Sequence, residues 1–177
     1  LNVSYDAITL VISAFGLDTS ADIMNSDPFE EMVTNAQVYK NVVVSNTLIA
    51  NAISSMMRLI QGAGGSSLKN SQSAAFKALA TLVVSANNQS SRRLSLLSFS
   101  PLLDLTHVAV ISELAENTVS QAKTDGALSS SASVSPSSIE AVSNATANSG
   151  SIVIEAAENV VDSSSSSTFL NIVAATV

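Results

Sequence analysis

Apolar residues recur every three to four positions over most of this chain, and short Gly-, Pro-, Asp- and Ser-containing stretches separate the runs. That period belongs to helices with one buried face. Ile8, Val11, Ile12 and Phe15 trace a first helix over 4–16, with Ser4 as N-cap and Gly16 at the left-handed position past its end. Taken alone, Thr9-Leu10-Val11-Ile12 also suits a strand. An acidic connector over 17–26 leads to Asp27-Pro28-Phe29-Glu30, the clearest helix start in the chain. Asp27 serves as N-cap, Pro28 takes the first position where its missing N–H costs nothing, and Glu30 falls where a capping box places its acid. Glu30 and Glu31 also suit the positive end of the helix dipole.

From there the pattern predicts a long helix, with room for a break, to Gln61. Val38, Val42, Ser45, Ile49, Ala52, Met56 and Leu59 mark one face, and Val43, Ile53 and Ile60 widen it. A face that wide implies more than one neighbour, as at the centre of a bundle. Gly62-Ala63-Gly64-Gly65 stops it. A helix over 68–86 follows, with Ala75, Phe76, Leu79, Leu82 and Val83 inward, and then a polar loop over 87–98 that contains Arg92-Arg93. Ser100-Pro101 repeats the cap-plus-proline start, and Leu105, Val108, Ile111, Leu114, Ala115 and Val119 carry a helix to about Lys123. Ser135-Pro136 opens another, which Asn148-Ser149-Gly150 is expected to break before a last apolar helical piece over 152–161. The five serines over 163–167 read as a flexible spacer. The apolar tail over 168–177 reads as a helix, with a strand donated to a neighbour as the alternative.

These elements predict an all-α or mainly α fold of five to six bundled or orthogonal helices, with a short C-terminal strand as an option. The expected organisation is a helical core over 1–123, a Ser/Gly-rich connector over 124–135, a helical hairpin over 136–161, and a serine spacer with apolar tail over 162–177. Leu1 and the apolar end at Val177 read as cuts from something longer.

Composition sharpens this picture. Hydrophobic residues make up 46% of the 177 positions and charged residues only 12%, about half the usual charged share of roughly 25%. Roughly one residue in five is serine, so hydroxyl and amide groups supply the polar surface. A chain short of charge is easily packed into an assembly, because repulsion between copies is weak. Net charge is −7, which excludes a nucleic-acid face or a polybasic membrane patch. Cysteine is absent, so no disulfide, thiolate nucleophile or Cys-type zinc site exists. No run reaches the ~18 continuous apolar residues of a membrane span.

Little in the chain carries chemistry. His107 is the sole histidine, with Asp104 three residues before it, and it reads as an ordinary helix histidine. Asp18, Asp22 and Asp27, joined by Glu30 and Glu31, raise calcium as a question. Their spacing matches no calcium loop and lacks the Gly that turns one, so capping explains them better. Gly62 to Gly65 with Lys69 has the wrong spacing for a phosphate loop. No catalytic residue, cofactor or metal site is expected. Asn2, Asn88 and Asn144 each begin an Asn-X-Ser/Thr triplet and are candidate glycan acceptors.

One stretch carries a family resemblance. Ile12-Ser13-Ala14-Phe15-Gly16-Leu17-Asp18, Ala21-Asp22, Asp27-Pro28-Phe29, and the long helix through Gln37-Val38-Tyr39 and Ile49-Ala50-Asn51 together resemble a helical module. That module belongs to very large secreted, adhesin-like repeat proteins of bacteria and some algae, and the likeness covers about residues 7–80. The Ser-, Ala- and Val-rich, charge-poor character is also similar to the helical repeat domains of spider silk. The Asp27-to-Glu31 motif and His107 depart from that second family. The resemblance implies a location outside the cell or on its surface, and a structural or adhesive role without catalysis.

The expected function is therefore an extracellular structural or adhesive segment of a larger surface or filament protein. Its expected partners are its own copies, neighbouring domains and glycans. The alternative is a glycan- or protein-binding module, for which an exposed Tyr39 beside polar groups would be the sign.

Overall fold

A computed structural model describes residues 2–90, 103–160 and 163–176. Seven helices run in the order α1 (Asn2–Phe15), α2 (Pro28–Thr34), α3 (Ala36–Gly62), α4 (Leu68–Ser90), α5 (Val108–Thr124), α6 (Pro136–Glu158) and α7 (Ser163–Thr176), with no strand among the described residues. The chain is an all-α bundle. The apolar tail is helical, and the strand options there and at Thr9-Leu10-Val11-Ile12 are not taken.

Local chemistry sets most helix ends. Gly16, at φ 61°, closes α1: Leu17 N–H donates to Ile12 O at 3.0 Å and Gly16 N–H to Ser13 O at 3.4 Å. Gly64, at φ 90°, repeats the arrangement after α3, with Gly65 N–H on Ile60 O at 2.9 Å and Gly64 N–H on Gln61 O at 3.0 Å. Both satisfy the last carbonyls of a helix through a left-handed residue that glycine adopts without strain. Asp27 accepts a hydrogen bond from Phe29 N at 2.9 Å, and Ser135 accepts one from Ser138 N at 3.1 Å, each just before a proline in the first turn. The Ser100-Pro101 start lies outside the described residues, as does the Arg92-Arg93 pair.

The anticipated break between α2 and α3 falls at Asn35, whose N–H caps Glu31 O at 2.7 Å while its own carbonyl accepts from Tyr39 N at 3.2 Å. Beyond it, α3 is the hub of the bundle and packs on α2, α4, α5, α6 and α7. Twelve of its residues are buried, including Val42, Val43, Ser45, Ala52, Ile53, Met56, Leu59 and Ile60. This is the wide face that the sequence pattern describes. Length and hydropathy alone would let α3 cross a membrane, but 56% of its apolar window is buried inside the bundle, as a core helix requires.

Five boundaries differ from expectation. α1 begins at Asn2, so Ser4 lies inside the helix instead of capping it. α4 continues to Ser90, so 87–90 is helix where a polar loop was expected. Asn87 holds that last stretch: its Nδ2 donates to Val83 O at 2.9 Å and to Leu10 O of α1 at 3.1 Å. α5 begins only at Val108, because Asp104 organises the residues before it as a turn. α6 runs unbroken through Asn148-Ser149-Gly150, so one helix fills 136–158 where a hairpin was expected over 136–161. A Cβ on Gly150 would stand 3.0 Å from Leu48 Cδ2 and 3.2 Å from Thr106 Cγ2. This glycine therefore allows close packing on α3 and does not interrupt the helix. Finally, the five serines begin α7 instead of forming a spacer, and Ser166, Phe169 and Val173 are buried.

One core cluster draws on α1 through α7, from Ala14 to Val173, so α6 and α7 share the core of the first five helices. A smaller cluster of Ile60, Ala74, Ala122, Ala127 and Leu128 seals the end where the α3–α4 turn meets the connector. Ser66 N–H donates to Ala127 O there at 2.8 Å. Three buried hydroxyls fit because they bond back one turn: Thr47 to Val43 O, Thr118 to Leu114 O and Ser143 to Ile139 O, at 2.7–2.8 Å, whereas the buried Thr146 hydroxyl has no such partner among the described residues. Such a bond satisfies the hydroxyl inside its own helix, so a small polar side chain can occupy a helix–helix seam without desolvation loss.

Candidate functional site

The acidic connector between α1 and α2 is the richest polar feature named from the sequence. Each carboxylate in it is occupied with its own chain. Asp18 Oδ1 accepts from the Ser20 backbone N–H at 2.8 Å and the Ser20 hydroxyl at 2.7 Å. These two bonds, the backbone one foremost, hold the Asp18 carboxyl below its ordinary value. Asp22 accepts from the Asn25 side-chain amide, at 3.1 and 3.2 Å, and from the Asn25 and Met24 N–H groups. Its carboxyl is also held low, first by the Asn25 amide. Asp27 caps α2.

Tyr39 ties this connector to the bundle. Its ring is buried, and its hydroxyl accepts from Asp22 N–H and from the Ser26 hydroxyl, both at 3.2 Å. The Ser26 hydroxyl also approaches Asp22 O closely. Tyr39 thus acts as a structural peg, not as the exposed ring that a sugar-stacking surface would use. Among the described residues no three His, Asp or Glu side chains gather as a metal site would need.

His107 is exposed at the N-cap of α5 and makes no side-chain cap bond. Asp104 turns away from it chemically: its Oδ1 accepts from Thr106 N–H at 2.9 Å and Thr106 Oγ1 at 2.6 Å. Asp104 and Ser45 line a cleft of about 200 Å³ with Phe15, Leu48 and Ile154, and His107 is not part of its wall. The three residues that acid–base hydrolysis would combine are therefore not brought together.

The glycan acceptor candidates all fall in helices. Asn2 begins α1, Asn88 is exposed near the end of α4, and Asn144 is exposed in the middle of α6. Thr146, the third member of the last triplet, is buried. The chain matches no family model, no curated protein and no solved structure.

The features that stand out on the surface are faces. On α2, Phe29 and Val33 lie one turn apart and are 41% and 50% exposed, with Met24 exposed in the turn before them. On α4, Phe76, Ala80 and Val84 form an exposed ridge at four-residue spacing. Lys69, Ser73 and Lys77 run parallel to it, and Lys77 Nζ pairs with Asp125 Oδ2 at 2.8 Å. Phe76 was expected inward. Its neighbours Ala75 and Leu79 take the buried positions, and Phe76 falls on the outer ridge.

The charge pattern adds a signal that periodicity does not contain. All the acids lie outside the span from Met32 to Leu103. That span holds Lys40, Arg58, Lys69, Lys77, Arg92 and Arg93, and Lys123 is the one basic residue elsewhere. Net charge hides this division, which is visible once acids and bases are mapped separately. In the fold it makes α4 a helix with lysines and no acid, while residues 17–34 carry five acids and no base.

Proposed function

We propose that this chain is a structural or adhesive segment of a larger extracellular or cell-surface protein, acting by packing against other protein surfaces. The observation that carries this reading is the set of outward-facing apolar side chains set among hydroxyl, amide and methyl groups. Met24, Phe29, Val33, Leu68, Phe76, Val84 and Ile152 are each at least 41% exposed. Large exposed apolar side chains mark contact surfaces when they share a face. Covering Ser, Thr, Asn and Gln on association costs less than covering charges, so a charge-poor surface docks with a smaller desolvation penalty. The buried hydroxyls bonded to their own helices support the same reading, since they let a serine-rich chain keep a dense core.

Tyr39 stands buried as a peg, so the glycan-binding alternative lacks its best aromatic. Secretion and surface location rest on the resemblance over 7–80 and on the paucity of charge. Antibodies against the purified chain should decorate intact source cells, and electron microscopy should find repeated copies along a fibre or layer. Labelling that needs permeabilised cells, with no repeating assembly, overturns the proposal.

A further inference from the structure

Two exposed faces of this molecule complement each other, and they cannot meet within one copy. The first is α2 with the turn before it: Met24, Phe29 and Val33 are apolar and exposed, and Glu30 lies between them on the outer side. The surrounding stretch 17–34 has five acids and no base. The second is α4: Leu68, Phe76 and Val84 are exposed, and Lys69 and Lys77 flank them on a helix without an acid. Asp125 pairs with Lys77, whose side chain stays 53% exposed, and Lys69 adds a second ammonium two ridge positions away. α2 packs on α3 and α7, whereas α4 packs on α1, α3 and α5. An apolar–acidic face and an apolar–basic face on different sides of one bundle are the two halves of a heterologous contact.

We infer that a second copy of this chain covers these faces, the α2 face of one molecule docking on the α4 face of the next. Such a contact is head-to-tail, so it leaves a free α2 face at one end and a free α4 face at the other, and copies add without a set limit unless the rotation closes a ring. Opposite charge orients the encounter and disfavours α2–α2 and α4–α4 pairings, where acids or lysines would oppose each other. The inference rests on the proposed packing role and specifies its partner and direction.

Two capping variants test it. Phe29→Ser removes the anchor of the α2 face, and Phe76→Ser removes that of the α4 face. Both side chains are more than two-fifths exposed, so circular dichroism and thermal melts should match the parent chain. By size-exclusion chromatography with light scattering, the parent chain should grow in mass with concentration, and each variant alone should remain at the mass of one chain. An equimolar mixture should stop at the mass of two, because only the intact α4 face of one and the intact α2 face of the other can meet. Added salt to about 0.5 M should weaken that dimer through screening. A mixture that stays monomeric, or either variant that still assembles by itself, overturns the head-to-tail contact. In the second case the packing role survives with another surface. A parent chain that is monomeric throughout removes both.

Discussion

Replacing Gly150 tests whether α6 rests against α3 as closely as the structure has it. Two terms oppose each other. Glycine inside a helix costs about 1 kcal/mol relative to alanine, so a substitution recovers propensity. Against this, a Cβ would meet Leu48 Cδ2 at 3.0 Å, Thr106 Cγ2 at 3.2 Å and Leu105 O at 3.5 Å. The first two are ends of side chains, and Leu48 also borders the 200 Å³ cleft, into which it can retreat. Gly150→Ala is therefore expected to be close to neutral, within about 1 kcal/mol. Gly150→Val adds two methyls where the first carbon already touches, and its helix propensity is lower than that of alanine. Overpacking of this kind costs about 1–3 kcal/mol, which exceeds the remaining propensity gain. For a chain of this length that corresponds to a fall of roughly 2–12 °C in melting temperature. Urea titration and thermal melting of parent, alanine and valine variants read the difference. A valine variant as stable as the parent would mean that α6 stands off from α3, and that Gly150 is an ordinary flaw in the helix.

Three further outcomes follow from the acidic connector and its cap. Asp27→Ala removes the bond to Phe29 N and should lower stability by about 1 kcal/mol, read by denaturant titration, with Asp27→Ser recovering most of it. Tyr39→Phe removes the acceptor for Asp22 N–H and the Ser26 hydroxyl. Hydrogen exchange should then quicken over 21–26 while protection in α3 beyond Val43 is unchanged; exchange rising equally everywhere would contradict the role of a local peg. Asp18, Asp22 and Asp125 have carboxyls held below the ordinary value of 3.8, Asp125 chiefly by the Lys77 ammonium. A group with a lowered folded value binds fewer protons folded than unfolded near that pH, so its contribution is complete above 3.8 and is lost as pH falls through the folded value. Melting temperature should be flat from pH 7 to 5 and fall below about pH 4, and neutral variants at the three positions should flatten that fall.

The parts of this fold legible in the sequence are those decided by a few adjacent residues. Asp27-Pro28 and Ser135-Pro136 start helices where they stand, and Gly16 and Gly64 end them, because a cap bond or a positive φ is a local requirement. The buried face of α3 was also legible, since a wide apolar stripe has few places to go but a bundle centre. The misread elements depended on contacts distant in sequence. Serine and glycine are poor helix formers by propensity, which suggests a spacer at 163–167 and a break at 148–150. Propensity is a weak prior, though, and burial of Phe169 and Val173, or the approach of Leu48 to Gly150, outweighs it. Asn87 extends α4 for the same reason, through a carbonyl on α1 that no local window contains. Phe76 shows the converse: its apolar character suggested the core, while the helix register put it on the surface. At the candidate site, Asp27 caps α2 as its motif predicted, whereas Asp18 and Asp22 bond within their own loop instead of capping a helix, and the α2 and α4 faces were not picked out. Their signal lay in the separation of acids from bases along the chain, which a net charge of −7 averages away.

Sedimentation velocity of the purified parent chain, from about 1 μM to 1 mM at low salt, addresses the packing role most directly. Faces built to be covered by protein should give a sedimentation coefficient that climbs with concentration, and the α2-on-α4 contact adds that it falls back when salt is added. A single boundary at the size of one chain, unchanged across the whole range, would contradict the packing role.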